Sequence, residues 1–588
     1  MILSVIGTSI LFLLQVPTTK GSIEGVVVSA ASGRPIAGAQ INLTRMPTPL
    51  PAGAVPQGNA APIGAVVIAN AAGGIAGGVL SATGRVGNPP SANSDNTGRF
   101  VFQDVDAGSY RLFAVANGYA QQDYGSRTPG QLGGGTLINL AEGQSIKGVA
   151  FSLTPAGVVS GRVTGSTGEA LVGIEVSLLK SAYDPNGQQM FRQILSALTD
   201  DRGEYRLFWA PPGSYYLSAG SSSRPMPGFN PFLNLSSTYK YRRLFYPGTP
   251  DSAAAVSVDV QPGAEASGMN FRLPEQQTYR IRGRVIDAAG SEVPRNASLS
   301  ITPRDSLMAS GSITSSSPYN VADGTFEFRD VPPGTYWIRA QLPFTTPRQP
   351  GAPPPRPPMA VTSVEVARGD VDGVILTVTP GRSISGQVRV DGQNPAGPGL
   401  ERLGISLRPL STGLGAPPPN PARVNTDGTF QVENVYPTEY SVTVMGLPVG
   451  QSSMYVKEIR FGGSDALSQP LLIDETASSG LQIVVGQNAG QVEGAVRDER
   501  QEPATNVQVV LIPDRRDRKD LYKPGRTDIN GRFSILGIPP GRYQIFAWQN
   551  MQDFSYFDPE VLKQAEGRGR AVNVQESSQA VVDVTLIR

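Results

Sequence analysis

The 588-residue chain contains no cysteine and no histidine. Those two absences remove disulfide frameworks, Cys/His zinc sites, haem attachment through CxxCH, and every Ser–His or Cys–His nucleophile system. Charge is also scarce. Charged residues make up 16% of the chain, against about 25% in ordinary domains, and the net charge is +1. A nucleic-acid partner needs a basic surface, so this balance argues against one. Only three tryptophans occur, and long helical periodicity is missing; 558–566 is the one stretch with helical character. What the chain has instead is Gly (68) and Pro (51), together about a fifth of all residues and well above average usage. Such a composition favours turns and short strands.

Ile2 to Val16 is an uncharged, mostly apolar run, too short for the ~20 residues of a permanent span. It suits the apolar core of a secretory signal, although no Lys or Arg precedes it. Residues 1–20 therefore read as a signal peptide or N-terminal anchor, and the protein as secreted or held at the cell envelope. No stable membrane span is expected beyond that segment.

One pattern recurs five times. Ile/Val-x-Gly-x-Val stands at Ile23–Val27, Val159–Val163, Ile281–Val285, Ile384–Val388 and Val492–Val496. Alternating stretches follow, such as Ile174-x-Val176-x-Leu178 and Val507-x-Val509-x-Leu511, which is the period of a half-buried strand. A glycine turn then precedes an aromatic: Gly98-x-Phe100, Gly203-x-Tyr205, Gly324-x-Phe326, Gly428-x-Phe430, Gly531-x-Phe533. Ten positions after each aromatic comes Tyr110, Tyr215, Tyr336, Tyr440 or Tyr543. From the first-strand glycine to this tyrosine the spacing is 54 (161 to 215), 53, 54 and 49. The first copy has 85, and so carries an insertion. Asx-Gly turns and Pro-Pro-Gly corners punctuate these strands. About seven short strands per roughly 100 residues means an all-β sandwich.

The expected architecture is five tandem seven-stranded transthyretin-like or Ig-like β-sandwiches in an elongated array. The boundaries read 21–155 (with a low-complexity insertion at 46–92), 156–275, 276–380, 381–489 and 490–588. Linkers are brief, which restricts swivel. Two proline runs, 343–358 and 415–421, read as extended loops.

The block Thr527-Asp528-Ile529-Asn530-Gly531-Arg532-Phe533 followed by Gly537-Ile538-Pro539-Pro540-Gly541-Arg542-Tyr543 resembles the carboxypeptidase regulatory-like domain, as does the opening Val492-Glu493-Gly494-Ala495-Val496. The resemblance covers nearly all of residues 21–588 in five copies. It implies a transthyretin-like sandwich of the carbohydrate-binding-like fold group. The stretch 455–463 and the segments 520–522 and 558–560 resemble large exported proteins of soil bacteria. The family's zinc carboxypeptidase neighbour would need His ligands, and this chain has none. Stalk domains that look similar often join a first-strand Lys to a late Asn. None of the eight lysines here lies in a first-strand signature, so stability must come from packing.

Candidate sites are few. The five recurring tyrosines read as structural anchors, each burying its ring and satisfying its hydroxyl on nearby backbone. Trp209 shares strand parity with Tyr205 and Leu207 and reads as core or core edge. Trp337 and Trp548 have the opposite parity and should face outward. Phe546, Trp548 and Tyr556, with Trp337, are the candidate carbohydrate-stacking residues. The competing reading of the Phe546–Trp548 cluster is that segment 549–566 folds over it as a satellite core. Asp95, Asp200 with Asp201, and Asp528 with Asn530 suit plain Asx-Gly turns better than Ca²⁺ loops. Segment 514–520 alternates charge and reads as a solvated loop rather than an anion site. No catalytic, metal or cofactor residue is assigned. The function expected is that of a non-catalytic spacer or binding scaffold, with a polysaccharide or an envelope protein as partner. The alternatives are a carbohydrate-binding protein and, less favoured, a carboxylate-dependent glycoside hydrolase.

Overall fold

The computed structural model describes residues 20–46, short strand pieces between 67 and 87, and residues 90–587. Within the last range it omits 127–128, 131–134, 185–186, 188, 222–240, 289–292, 295, 305–318, 344–356, 393–398, 411–417, 448–452, 474–479, 529, 550 and 553. The N-terminal apolar run, most of the 46–92 insertion, most of the 343–358 proline run and residues 415–417 of the second lie outside the described residues. The protein is nearly all β, with 57% of it in strands and 4% in helix.

The same strand arrangement recurs along the chain. The first strand of a copy lies between the aromatic-bearing strand, antiparallel to it, and a late strand, parallel to it. Gly21–Ser29 sits this way between Arg99–Val105 and Ser145–Leu153. Tyr279–Asp287 does so between Thr325–Val331 and Val371–Val378. Arg382–Val390 is placed likewise between Thr429–Val435 and Leu481–Gln487. A second sheet faces each of these, for example Ser298–Pro303, Gly334–Gln341 and Met359–Val366 in order. In the last copy the two sheets merge. Val584–Ile587 pairs with both Gly490–Arg497 and Gly541–Trp548, so the strands run on as one rolled sheet.

The recurring glycines have a physical cause. An aromatic ring lies over Gly25, Gly283, Gly386 and Gly494, and the Tyr205 hydroxyl stands over Gly161. A Cβ on Gly25 would come 2.6 Å from Phe100, one on Gly283 2.5 Å from Phe326, and one on Gly494 3.0 Å from Phe533. The turn glycines hold φ of +72° to +82°, a region that side chains disfavour. Each gives its carbonyl to the first strand: the N–H groups of Val27, Val163, Val285, Val388 and Val496 donate to Gly98, Gly203, Gly324, Gly428 and Gly531. Turn, ring and first strand therefore lock together in every copy.

Separate apolar clusters fill the interiors. One gathers Ile23, Phe100, Leu112 and Phe151, and a second gathers Ile281, Phe326 and Ile338. A third holds Val388, Phe430 and Ile483, and a fourth Val492, Phe533 and Ile545.

By mutual contacts the chain divides into two compact units. One comprises residues 1–160, 206–214 and 259–268, the other residues 161–205, 215–258 and 269–588. Within the larger unit, side-chain contacts add to the short linkers. Tyr436 donates its hydroxyl to the Pro357 carbonyl at 2.8 Å. Tyr183, at the end of strand Glu175–Tyr183, packs against the aromatic cluster of the last copy. Gly187 stands beside Lys519 and Phe557. These ties are long-range in sequence.

Candidate functional site

The recurring tyrosines form one motif. The hydroxyls of Tyr110, Tyr336, Tyr440 and Tyr543 donate to the carbonyls of Asp106, Pro332, Tyr436 and Pro539, each four residues back, at 2.8–2.9 Å. Tyr215 is buried in the same place in its copy. Burial raises the pKa of Tyr110, and raises those of Tyr215, to about 12, and Tyr543, further still. Four of these phenols thus satisfy a backbone carbonyl at the edge of the core.

The aromatic-bearing strands share a break that parity reasoning missed. Four residues after the ring, Asp104, Trp209, Asp330, Asn434 and Gly537 all take φ between +55° and +69°. The ladder slips at this point: Ile281 faces Phe328 while Tyr279 faces Val331, and the same slip recurs against Val105, Val435 and Ile538. This is a β-bulge, which turns the next residue inward. Trp209 is therefore not in the core. It is 36% exposed, its neighbour Phe208 is 50% exposed, and Ala210 takes the buried position. Asp, Asn and Gly tolerate left-handed backbone, whereas Trp pays roughly 1–2 kcal/mol to adopt it. Arg206 lies 5.0 Å above the Phe208 ring and pairs with Glu265 at 2.7 Å.

The expected exposed platform in the last copy is not there. Phe546, Trp548 and Tyr556 are 2%, 7% and 3% exposed. Phe546 and Trp548 do leave the sheet on the face opposite Tyr543, but segment 549–566 covers that face. Their rings stack at 5.2 Å in a second apolar cluster with Val510, Tyr522, Phe557 and Ile587. The short helix Pro559–Gln564 closes this cover. Pro559 opens it, and Asp558 caps it by accepting from the Glu560 N–H at 2.9 Å. A ring packed on both faces has none left for a sugar.

Trp337 lies on the face away from Tyr336 and is half-buried, between Thr302 and Ser363 on the flanking strands. The Arg304 guanidinium is 5.3 Å from its ring, and its buried indole N–H has no hydrogen-bond partner among the described residues.

The acidic turns close on themselves. Asp95 accepts from the Thr97 and Arg99 N–H groups, Asp200 from those of Arg202 and Glu204, and Asp528 from those of Asn530 and Arg532. The Thr97 hydroxyl, with those N–H groups, draws the Asp95 carboxyl below its ordinary pKa. Among the described residues, no group of three or more acidic side chains is placed to hold a metal.

Segment 514–520 is only in part a solvated loop. Asp514, Arg515, Asp517 and Asp520 are exposed, but Arg516, Arg518 and Lys519 are half-buried. The segment forms one wall of a cavity of about 460 Å³, together with Lys523. The facing wall is Val444, Leu447, Met454 and Ile459 of the preceding copy. Sequence reasoning had no route to it, since residues about 70 positions apart meet only after both sandwiches form.

No family model matches the chain, and no curated protein matches it. Among solved structures it is similar to the TIE protein of Bacillus anthracis, at 11% identity over 93% of this chain and 68% of that one, with a TM-score of 0.13. The minor pilin GBS52 of Streptococcus agalactiae is 13% identical over 44% of this chain and 97% of its own, at 0.22. The pilus protein RrgB of Streptococcus pneumoniae is 8% identical over 74% and 98%, at 0.13. Scores this low carry no argument, and the fold stands on the strands described above.

Proposed function

We propose that the chain is an exported, non-catalytic scaffold of the cell envelope, built from five carboxypeptidase regulatory-like sandwiches bounded at 21–155, 156–275, 276–380, 381–489 and 490–588. One observation carries this reading. The residues that recur in all five copies are consumed by packing: glycine beneath an aromatic side chain, a turn carbonyl on the first strand, and a corner tyrosine buried in its core. What is repeated is the means of standing up, while the outer faces differ from copy to copy and are left for recognition of an envelope protein or a polysaccharide. Single-molecule stretching of the full chain tests it. Five separate unfolding events are expected, each releasing about 100 residues, on the order of 350 Å of contour. One cooperative rupture would reject the reading, as would recovery of the native protein from the cytoplasmic fraction of its cell.

A polysaccharide-binding role is favoured over other partners, among the described residues, by the exposed Phe208–Trp209 pair and the half-buried Trp337. Retention on polysaccharide matrices that is lost in Trp337→Ala or Trp209→Ala supports it; retention indifferent to both refutes it.

A further inference from the structure

We propose that the cavity between strand Thr438–Met445 and segment 514–523 binds a small amphipathic carboxylate, its apolar part against Val444, Leu447, Met454 and Ile459 and its carboxylate on the ammonium group of Lys523.

The two walls differ in kind. The first is uncharged and mixed: Val444, Leu447, Met454 and Ile459 give it an apolar patch, beside the polar Ser441, Thr443, Ser468 and Gln469. The second carries charge, and its ledger leaves cations over. Asp517 is bonded to Arg515 at 3.0 Å. Asp520 accepts both guanidinium N–H groups of Arg518, at 2.7 and 2.8 Å, in a bidentate pair whose Arg518 side chain is only 13% exposed. Both carboxylates are thus already matched. Lys519 lies 5.4 and 5.2 Å from the Tyr522 and Phe557 rings, which stabilise its charge. Lys523 has no such provision. It is half-buried, and no hydrogen bond or ion pair to its ammonium group is formed among the described residues. Desolvation lowers its pKa, and Asp520 offsets only part of that. A half-buried ammonium group without a partner is costly, and an incoming carboxylate removes the cost. The volume falls in the range of small-molecule sites, roughly 300–1,000 Å³. A neutral or cationic ligand of the same shape would leave Lys523 unmatched, so the site selects by charge as well as by size. Nothing here depends on the scaffold reading, which stands or falls by the stretching experiment.

Octanoate, octanol and octylamine, each titrated into the full chain and read by saturation-transfer NMR, test the assignment. Octanoate is expected to bind at least tenfold more tightly than octanol, and octylamine not at all. Lys523→Gln should erase the octanoate advantage while leaving octanol unchanged, and Lys523→Arg should restore most of it. Hydrogen exchange over Gln508–Pro513 confirms that each variant is folded. Equal binding of octanoate and octanol, octanoate binding indifferent to Lys523→Gln, or no transfer to any of the three would overturn the proposal.

Discussion

Replacing Gly283 by alanine adds a single methyl group, and the structure says where it must go. The new Cβ would stand 2.5 Å from the Phe326 ring and would collide with the Val374 carbonyl. Neither obstacle can retreat easily. Phe326 is 3% exposed and packed edge-on against Phe328 at 5.6 Å, and Val374 belongs to the parallel strand Val371–Val378. Overpacking of this kind costs roughly 1–3 kcal/mol, and two rigid obstacles put the change at the upper end. Alanine is otherwise better than glycine in a strand by about 0.5–1 kcal/mol, so the net loss is about 2 kcal/mol. At 1.4 kcal/mol per tenfold, amide exchange in the third sandwich should quicken on the order of 30-fold. Hydrogen–deuterium exchange with mass spectrometry reads this directly, in peptides from Tyr279–Asp287 and Thr325–Val331. The same spectra contain the control: Gly404–Pro409 and Gln508–Pro513 lie in other apolar clusters and should keep their protection. Adding Phe326→Leu removes one obstacle, so the double variant should be less destabilised than the sum of its parts. Unchanged exchange in the third sandwich would refute the steric account. A rise spread equally over the other copies would refute separate cores.

The same assay checks three further expectations. Tyr543→Phe leaves the Pro539 carbonyl without its donor and should cost about 1 kcal/mol, while Tyr543→Ala should cost about 3–5 kcal/mol through the cavity it opens. Trp548→Ala should unfold the cover formed by segment 549–566, costing about 3–5 kcal/mol, and exchange should rise in Pro559–Gln564; unaltered protection there would mean the ring is not part of that core. Alkali offers an independent test. The folded pKa of Tyr215 lies at about 12, above the ordinary 10.0, because burial penalises the phenolate. The stabilisation is therefore complete below pH ~10 and is lost as pH rises toward 12. Ultraviolet titration should show this phenol ionising late and together with unfolding; ionisation near pH 10 in the folded protein would contradict its burial.

Much of this could be read without coordinates, because the signals were local. A glycine two residues from an isoleucine or valine on each side, a glycine turn before an aromatic, and a tyrosine ten positions later specify a strand, a hairpin and a corner from backbone rules alone. Repetition did the rest, since five copies in register leave little choice of fold class. Three things lay beyond reach, each because it depends on what approaches a strand from elsewhere. Strand parity read Trp209 as core or core edge, but the bulge adds one residue to its strand and shifts the side chains that follow to the other face. Parity correctly set Phe546 and Trp548 on the face away from Tyr543. Whether that face meets water was decided by segment 549–566, whose own sequence does not say where it docks. The charge alternation at 514–520 was visible, yet the cavity it borders was not: the facing residues lie some 70 positions earlier in the chain. The chain's pattern thus determined the modules, because their hydrogen bonds and turns are short-range; tertiary packing decided which surfaces remain, because burial is a property of neighbours far away in sequence.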